Sequence, residues 1–499
     1  MDKGYCGTSG ASAPSGNSLW YIKPDPELRK QAMASREALG GFLAQRTWME
    51  RVLDQTFENI NRVAEWGYPF PVDEHGESRR ESIQGSEYMR LMRKKIQRAG
   101  VQILDQSPAL ELLVDCEGRV AGAAGINRQT GERWSIRAGA VVLATGGCAF
   151  LANGLGCNVL TGDGYLMAAE AGAEFSGMEF SSAYALSTTF GSVTKGRFFQ
   201  WATFYYADGT PIAGAAGHHG RSIVAKTLLE QPVYDCIDQN VTPEIQAWMW
   251  KAQPNFFLPL NRRGIDPFTQ HFPVTLRLEG TVRGTGGLRI LNETCATSVL
   301  GLYAAGDAAT RELICGGFTG GGSHNAAWAI SSGYWSGQAA ADYAKSLGTH
   351  AHQRSVQAIG EVGLRGDGAK AFSAEDTIAA TQAEVFPYDR NLFRTGDGLR
   401  DSLGRLDSLW RDMRQSGGAT GTQMVRSREA AAMVATARWM YRSGLQRTET
   451  RGMHKRLDYP EQDPNQKHYW LSGGLDQVWV KSSLNADHNT VTNKELVLR

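Results

Sequence analysis

Glycine-rich turns that follow short apolar runs are the parts of this chain best suited to ligand chemistry. Residues 141–147 read Val-Val-Leu-Ala-Thr-Gly-Gly, and residues 161–164 read Thr-Gly-Asp-Gly. A buried strand that ends in Thr-Gly-Gly lets the backbone approach a flat or phosphorylated ligand, because glycine has no Cβ to collide with it. Asp163 then stands at a helix start. The alternative is a plain strand, turn and helix in which Asp163 is only the cap.

A second segment of the same kind follows about 160 residues later. Residues 301–307 read Gly-Leu-Tyr-Ala-Ala-Gly-Asp, and a glycine run at 320–322 precedes Ser323 and a predicted helix. Asp307 at the carboxyl edge of a sheet could bind a polyol hydroxyl, and free N–H groups before the helix could bind an anionic or carbonyl group. Together the two segments predict one ligand site built from distant parts of the chain.

The first part of the chain must supply the elements that position these residues. Residues 1–19 are small and turn-forming, which indicates a loop around a ligand rather than a helix or strand. Residues 25–100 have helical periodicity. Short apolar runs then predict a small antiparallel meander followed by a buried parallel strand, at 101–104, 109–114, 120–126, 134–136 and 138–144.

The later elements repeat the alternation of strands and helices. A helix is predicted at 162–171, and a strand at 177–187 leads into a second lobe that ends near residue 278. The first architecture resumes with a strand at 301–305 and a helix at 323–344. Residues 345–499 are predicted to be mainly helical.

Composition excludes several classes of protein. The chain has 499 residues, a formal charge of +1, 42% hydrophobic and 21% charged residues, so it has no charge excess for nucleic acid and no apolar run long enough for a membrane span. Its seven cysteines form no Cys-x-x-Cys pair, and no signal peptide precedes the first motif. We therefore expect a soluble, cytoplasmic protein with reduced thiols.

In order and spacing, the motifs resemble the flavoprotein family of succinate dehydrogenase, fumarate reductase, L-aspartate oxidase and adenylylsulfate reductase alpha subunits. Besides the two segments above, Met178-Glu179-Phe180 and the run Arg-Thr-Glu-Thr-Arg-Gly-Met-His-Lys-Arg-Leu-Asp-Tyr-Pro at 447–460 match that family. The resemblance covers nearly the whole chain. It implies an α/β fold with a Rossmann-like FAD-binding domain, an inserted α+β capping domain and a C-terminal helical domain.

The resemblance also implies domain limits and cofactor-binding residues. The FAD-binding domain is placed at 1–177 and 279–345, the capping domain at 178–278, and the helical domain with its tail at 346–499. The implied cofactor is FAD, and the residues expected to bind it are Lys3, Thr8, Ser9, Gly10, Ser15, Gly16, Ala144, Thr145, Gly146, Asp163, Gly306, Asp307 and Ser323.

Two departures concern how FAD is held. The family opens with a strand and Gly-x-Gly-x-x-Gly that bind the FAD pyrophosphate, whereas this sequence opens at Asp2-Lys3, which resembles the end of the family's second strand. An incomplete N-terminus is therefore expected, through a late start codon, a trimmed chain or a truncated protein. Where some members carry a His bonded to the flavin, this chain has Ser9, so non-covalent FAD is expected.

A third departure concerns the substrate. The family's Gln-x-His-Pro-Thr is replaced by Ser-Ala-Tyr-Ala-Leu at 182–186, the His of His-x-x-Gly-Gly by Arg283, and the Arg before Gly-x-Asn-Ser by Phe318. Those family residues clamp two carboxylates through charge-assisted bonds that Phe and Tyr cannot supply. Fumarate and succinate are therefore not the expected substrates.

Four residues remain as catalytic candidates: Arg283, Arg451, His454 and Tyr184. An Arg could stabilise negative charge on a carbonyl or carboxylate, and a His or Tyr could pass a proton while flavin N5 exchanges a hydride. Each has a structural alternative. Arg283 could face Glu279 or solvent, Tyr184 could be packed in a core, and Arg451 with His454 could join domains through salt bridges.

Two further groups are not assigned a role. Lys195 and Arg197 lie near the place of the family's proton-shuttling Arg, but the surrounding Gly-Glu-Gly is absent. His218 and His219 are adjacent and therefore point apart, with no third ligand at helical spacing, so no metal is expected.

The sequence predicts an FAD-dependent oxidoreductase that exchanges a hydride between flavin N5 and a small organic substrate other than fumarate or succinate. An alternative is a subunit like the adenylylsulfate reductase alpha chain, which would need a separate iron-sulfur protein because no cluster ligands are present. A third hypothesis is a flavin-free pseudoenzyme that acts as a scaffold.

Overall fold

The computed structural model describes residues 1–485 except 15, 73–74, 195, 197, 217–219, 319–321, 367 and 369–371. The strands are β1 Gly16–Ser18, β2 Ser82–Gln84, β3 Ala109–Val114, β4 Val120–Ile126, β5 Arg133–Arg137, β6 Val141–Leu143, β7 Phe175–Ser176, β8 Ala183–Thr188, β9 Thr203–Tyr205, β10 Val233–Cys236, β11 Phe272–Gly280, β12 Gly287–Leu288, β13 Leu302–Ala304, β14 Gln357–Ala358, β15 Trp470–Gly473 and β16 Trp479–Ser482.

Fourteen α-helices accompany these strands in the described residues. They are α1 Pro26–Leu39, α2 Arg46–Glu65, α3 Gly85–Arg98, α4 Asp163–Glu170, α5 Gly220–Glu230, α6 Pro243–Ala252, α7 Pro254–Asn261, α8 Glu312–Cys315, α9 Gly322–Ser346, α10 His350–Gln353, α11 Ala374–Val385, α12 Tyr388–Asn391, α13 Gly396–Arg414 and α14 Gln423–Gln446.

Strands β6 and β13 bring the two glycine-rich segments together. They pair in parallel, with Leu302 opposite Val141 and Ala304 opposite Leu143. Because parallel strands end at the same edge of a sheet, residues 144–147 and 305–307 emerge side by side. Helix α9 packs across both strands and against α2, which fixes this edge within the core.

The meander predicted after residue 100 is present, with one exception. Strands β3, β4 and β5 pair antiparallel in sequence order, and β14 adds to the outer side of β3. The run at 101–104 forms no strand in the described structure. Its last residue instead accepts a single bond, from the Asp2 amide to the Leu104 carbonyl at 2.9 Å.

The inserted lobe is built on a four-stranded antiparallel sheet with the order β8-β11-β10-β9. Leu186 on β8 lies opposite Leu276 on β11, and Asp235 on β10 lies opposite both Phe204 on β9 and Phe272 on β11. Residues that lie opposite each other across such a sheet share a face. The large apolar residues of this face, Leu186, Phe204, Phe272 and Leu276, are part of the main hydrophobic core of the chain.

Strand pairing corrects one sequence prediction and adds to another. Residues 1–19 are not an unbroken loop, because Gly16–Ser18 pairs with Ser82–Gln84 as β1 and β2. The chain after residue 345 is mainly helical as predicted, and in addition β15 and β16 form a hairpin in which β15 also pairs with β7. Neither pairing is visible in a local pattern, since the partners lie far apart in sequence.

The C-terminal helices surround α14, which is almost wholly buried. Helices α4, α11 and α13 pack around it, so this helix joins the C-terminal part to the first part of the chain. The predicted domain limits stay a prediction, although β11 continues to Gly280, past the limit placed at residue 278.

Two global properties complete the description. None of the seven cysteines forms a disulfide, and five of them are buried. Over the residues that the structure describes, no helix is long and apolar enough to cross a membrane.

Candidate active site

A cavity of about 1060 Å³ lies at the shared edge of β6 and β13 and extends to the inserted lobe. One part of its wall, here called the strand-end side, is formed by residues 1–3, 9–12, 141–146 and 305–307. The other part, here called the lobe side, is formed by Leu186, Thr194, Phe199, Gln200, Phe204, Arg221, Val282 and Arg283. Small-molecule sites usually enclose about 300–1,000 Å³, so this cavity has room for a large cofactor with a second, smaller molecule.

Most of the predicted cofactor-binding residues line this cavity. They are Lys3, Ser9, Gly10, Gly16, Ala144, Thr145, Gly146, Asp163, Gly306 and Asp307. Thr8 and Ser323 do not line it; Thr8 is exposed, and the Ser323 hydroxyl lies 3.3 Å from Nδ1 of His324. Ser15 lies outside the described residues.

The strand-end side is open to a ligand at the turn that follows β6 and at two glycines. Ala144 and Thr145 are exposed although they directly follow the buried Leu143, because they border the open cavity. Gly10 has φ +86°, and a Cβ built on it would meet no atom within 4 Å. Gly306 has φ +62°. Both conformations favour glycine, and a side chain at Gly10 would occupy the cavity, so this wall fits a flat cofactor such as FAD.

Lys3 anchors the N-terminal segment and does not present a free charge. Its Nζ lies 2.6 Å from Asp163 and 2.7 Å from Glu429, and it donates to the Thr161 hydroxyl at 2.7 Å. Burial alone would lower the pKa of Lys3, but the two carboxylates raise it above its ordinary value. The ammonium group therefore stays charged and ties residues 1–3 to the start of α4.

Arg311 connects the two parts of the cavity wall. One of its terminal nitrogens donates to the Asp307 carboxylate, and the other donates to the carbonyls of Thr281, Val282 and Gly284. The side chain of Arg311 is 1% exposed. Because Asp307 lies on the strand-end side and residues 282–283 on the lobe side, this guanidinium fixes one relative to the other.

Arg283 lines the cavity and forms an ion pair with Glu279. Its Nη1 donates to Oε2 of Glu279 at 3.0 Å, and the Thr194 hydroxyl donates to Oε1 of the same carboxylate at 2.8 Å. Glu279 is fully buried and has both oxygens bonded. The sequence alternative that Arg283 faces Glu279 is therefore present together with its exposure to the cavity.

Arg221, which the sequence analysis missed, is the second cation of the lobe side. It stands in the first turn of α5, borders the cavity and is exposed to it. Within the described part of the chain it has no hydrogen bond or ion pair. Desolvation by the surrounding protein, together with the nearby Arg283, lowers its pKa to about 10. Its position follows from the packing of the lobe, so no motif could have indicated it.

Arg451 lies elsewhere, in a buried network of charges. It bonds both oxygens of Glu449, at 2.6 and 2.9 Å, and donates to the carbonyls of Gly41 and Asp463. Glu449 also accepts from Arg447 at 2.7 Å. The structure does not bring Arg451 to the cavity, and its hydrogen-bonding groups are satisfied by protein.

His454 and Tyr184 are likewise buried away from the cavity wall. Nδ1 of His454 accepts from Arg394 at 2.9 Å, and its Nε2 donates to the Arg447 carbonyl at 3.1 Å; burial and the nearby Arg394 hold its pKa well below the ordinary value. The Tyr184 hydroxyl donates to the carbonyl of Val385 at 2.9 Å, and burial raises its pKa. These contacts support the structural alternatives for both residues.

The remaining sequence candidates, a possible proton shuttle and a pair of histidines, lie outside the described residues. Lys195, Arg197, His218 and His219 are not among the described residues. Among the residues that are described, no three His, Cys, Asp or Glu side chains lie close enough together to hold a metal ion.

Comparison with known families agrees with this architecture. Residues 15–184 match the family described as FAD binding domain, and residues 384–497 match the family described as fumarate reductase flavoprotein C-term. The two matches include β6 with its glycine turn and the late Arg-rich run, respectively.

Two curated proteins are similar over most of the chain. An L-aspartate oxidase of Streptomyces coelicolor is 26% identical over 402 residues, which covers 76% of this chain and 68% of that protein. A fumarate reductase flavoprotein subunit of Mycobacterium tuberculosis is 24% identical over 503 residues, covering 85% of this chain and 81% of that protein.

Solved structures share the fold at low sequence identity. E. coli quinol fumarate reductase superposes with a TM-score of 0.74 at 18% identity, covering 96% of this chain and 91% of that one. Adenylylsulfate reductase from Archaeoglobus fulgidus superposes with a TM-score of 0.68 at 18% identity, covering 96% and 90%.

Proposed function

Since this chain belongs to the flavoprotein family of the fumarate reductases, succinate dehydrogenases and L-aspartate oxidases, and is an FAD-dependent oxidoreductase, we propose that its substrate is a small organic anion bound on the lobe side of the cavity. The family assignment leaves no support for a flavin-free scaffold. What the family does not supply is the substrate, which must be inferred from the residues that line the cavity.

One observation carries the proposal: a single cavity is bordered both by the strand ends of an FAD-binding domain and by two arginines of the lobe side. Among the described residues, the carboxylate paired with these arginines is that of Glu279. Of the two arginines, it forms an ion pair with Arg283 and not with Arg221. The local charge on the lobe side is therefore positive. A carboxylate or similar group of a substrate would supply the missing counter-charge through charge-assisted hydrogen bonds.

FAD, when bound, supplies hydride transfer at flavin N5. The residues that would hold it are Ala144 and Thr145, which are exposed to the cavity, the glycines Gly10 and Gly306, and Asp307 through its carboxylate. The Asp307 carboxylate is oriented by Arg311. Binding is proposed to be non-covalent, because the residue in the family's flavin-linking position is Ser9 and its hydroxyl donates to Asp2 at 2.6 Å.

The chain's own residues would do three things for the substrate. Arg283 and Arg221 would bind and orient its anionic group. Phe199 and Phe204, which are nearly buried, would exclude water from its remaining part. Arg221 keeps its proton at neutral pH, because its lowered pKa is still about 10, and this proton would lie on a nitrogen that faces the cavity.

Among the described residues of the lobe side, fumarate and succinate would find one pair of cations, Arg221 and Arg283, and a second carboxylate placed against Phe199 or Phe204 would meet carbon. An electron-transferring partner, including an iron-sulfur protein, stays a prediction. Adenylylsulfate reductase has the same fold as this chain. Because the other members of the family share that fold, the likeness does not favour the hypothesis of an adenylylsulfate-reductase-like subunit over the other enzymes.

A flavin assay tests the proposal. The FAD-loaded protein is kept anaerobic, and its oxidised and its reduced forms are each mixed with small organic anions and with neutral analogues while the flavin band near 450 nm (approximate) is followed. We expect an anion either to reduce the oxidised flavin or to reoxidise the reduced flavin, no reaction with neutral analogues, and at least a tenfold slower reaction in Arg221→Gln. Equal reaction with neutral analogues, or full activity of the variant, would refute it. Arg90→Gln, which alters a surface ion pair, is the control.

A further inference from the structure

The lobe side combines positive charge with a carbon surface. Leu186, Phe199, Phe204 and Val282 line it, and each is at most 9% exposed. Phe204 belongs to β9, and Leu186 belongs to β8 on the opposite edge of the same sheet. The apolar wall is thus built into the sheet of the lobe rather than carried by a surface loop.

These apolar side chains are held in place by packing behind them. Phe199 packs edge-on against Phe256, with ring centroids 5.4 Å apart. Leu186 lies opposite Leu276 across the sheet. Side chains packed in this way cannot move to let water reach a charged group. A second charge placed against them would therefore lose its hydration without gaining a partner.

The polar groups of this wall are few and mostly occupied. The Thr194 hydroxyl donates to Glu279, and Glu279 has both oxygens bonded. Of the lobe-side residues that the structure describes, Arg221 and Arg283 carry positive charge and Gln200 is a neutral polar residue. The described residues of the lobe side therefore provide for one anionic group, next to a surface that favours carbon.

From this juxtaposition we infer that the substrate is an organic monoanion, a monocarboxylate whose body is aromatic or branched and apolar. Its carboxylate would lie against Arg221 and Arg283, and its body would pack against Phe199 and Phe204. This inference rests on the proposed function, because it assigns a substrate class to the same cavity. It differs in predicting which organic anions bind and which do not.

A series of four ligands separates charge from shape. Phenylacetate has one carboxylate and an aromatic body, acetate lacks the body, phenylacetamide lacks the charge, and succinate has two carboxylates without an apolar body. Binding to the FAD-loaded protein is measured by isothermal titration calorimetry and by the shift in melting temperature, neither of which requires turnover. We expect phenylacetate to bind at least tenfold more tightly than each of the other three.

Two variants complete the experiment. Arg221→Gln should weaken phenylacetate binding at least tenfold and leave phenylacetamide binding unchanged, whereas Arg90→Gln should change neither. If succinate or acetate binds as tightly as phenylacetate, and in an Arg221-dependent way, the inferred substrate class is wrong while the proposed function stands. If no anion binds in an Arg221-dependent way, the proposed function fails with it.

Discussion

Arg221 and Arg283 border the same cavity, and of the two only Arg283 is paired with Glu279, at 3.0 Å. Their proximity lowers the pKa of Arg221, next to the larger effect of desolvation. Like charges enclosed together are stable only when a counter-charge arrives or when the surrounding fold holds them in place. The two arginines therefore favour the binding of an anion, which a neutral cavity of the same shape would not do.

Anion binding should be insensitive to pH across the neutral range. The pKa of Arg221 is lowered only to about 10, so its charge is complete from about pH 6 to pH 9. We expect the dissociation constant of phenylacetate, measured by calorimetry in that range, to vary less than about twofold once the ligand is fully ionised. A steep loss of affinity between pH 6 and 8 would point instead to a titrating group such as a histidine.

FAD binding should fail when the open space beside Gly10 is filled. Gly10→Val places a side chain in the cavity, because no atom lies within 4 Å of its Cβ position. Gly118→Val is the matched control. Gly118 has φ +77°, also has open space around it, and lies in the turn between β3 and β4, outside the cavity lining.

Both substitutions carry the same backbone penalty of about 1–2 kcal/mol, so both should lower the melting temperature similarly. Only Gly10→Val should reduce the FAD bound per chain, by at least tenfold, as measured by absorbance after gel filtration. Equal FAD contents in the two variants would show that the cofactor does not lie against residue 10.

Arg451 should prove to be structural. Arg451→Ala removes a partner of the buried Glu449, and breaking such a buried pair costs roughly 3 kcal/mol. Arg400→Ala, at an exposed pair with Asp397, should cost at most about 1 kcal/mol. Urea denaturation measures both. A stable Arg451→Ala protein that binds FAD but no longer reacts would restore the catalytic assignment.

Asp235 should make stability depend on pH. It is fully buried on β10, neither carboxylate oxygen has a hydrogen-bond partner among the described residues, and desolvation raises its pKa well above the ordinary value. A raised pKa means that the folded state holds the proton more tightly than the unfolded chain does. The stabilisation is therefore complete below about pH 4 and is lost as pH rises from there towards the folded pKa.

Asp235→Asn cannot titrate and should remove this dependence. Relative to the variant, the melting temperature of the wild-type protein should fall as pH rises from about 4 to 8, as followed by circular dichroism. Asp401→Asn, at an exposed position of α13, is the control and should track the wild type. Parallel curves for wild type and Asp235→Asn would show that the carboxyl group does not change protonation in this range.

The strand-end side was predictable because its signals are local. An apolar run followed by Thr-Gly-Gly or Ala-Gly-Asp predicts both a strand end and a close backbone approach, and the structure places Thr145, Gly146 and Asp307 on one cavity. The two strands themselves were predicted, whereas the pairing of β6 with β13 is a finding of the structure. By contrast, β15 pairs with β7, with Leu471 opposite Ser176, and no local pattern records a pairing between segments so far apart in sequence.

The lobe side was not predictable for the opposite reason. Arg221 follows no motif, and its exposure to the cavity depends on how the lobe sheet packs. Arg451, His454 and Tyr184 match a motif or a family position, yet their polar atoms are engaged within the protein. Arg451 donates to the Gly41 carbonyl, His454 accepts from Arg394, and Tyr184 donates to the Val385 carbonyl. A sequence shows that an arginine or a histidine is present, but only the fold shows which of its atoms are already engaged.

The central claim is that FAD on the strand-end side and an anion beside Arg221 share one cavity. Adding phenylacetate to the FAD-loaded protein should shift the flavin absorbance band near 450 nm (approximate) in a saturable way, at the same concentrations that calorimetry reports. Arg221→Gln should abolish the shift while it leaves the FAD content intact. If phenylacetate binds by calorimetry without changing the flavin spectrum, or if the variant shows the full shift, the two ligands do not share the cavity described here.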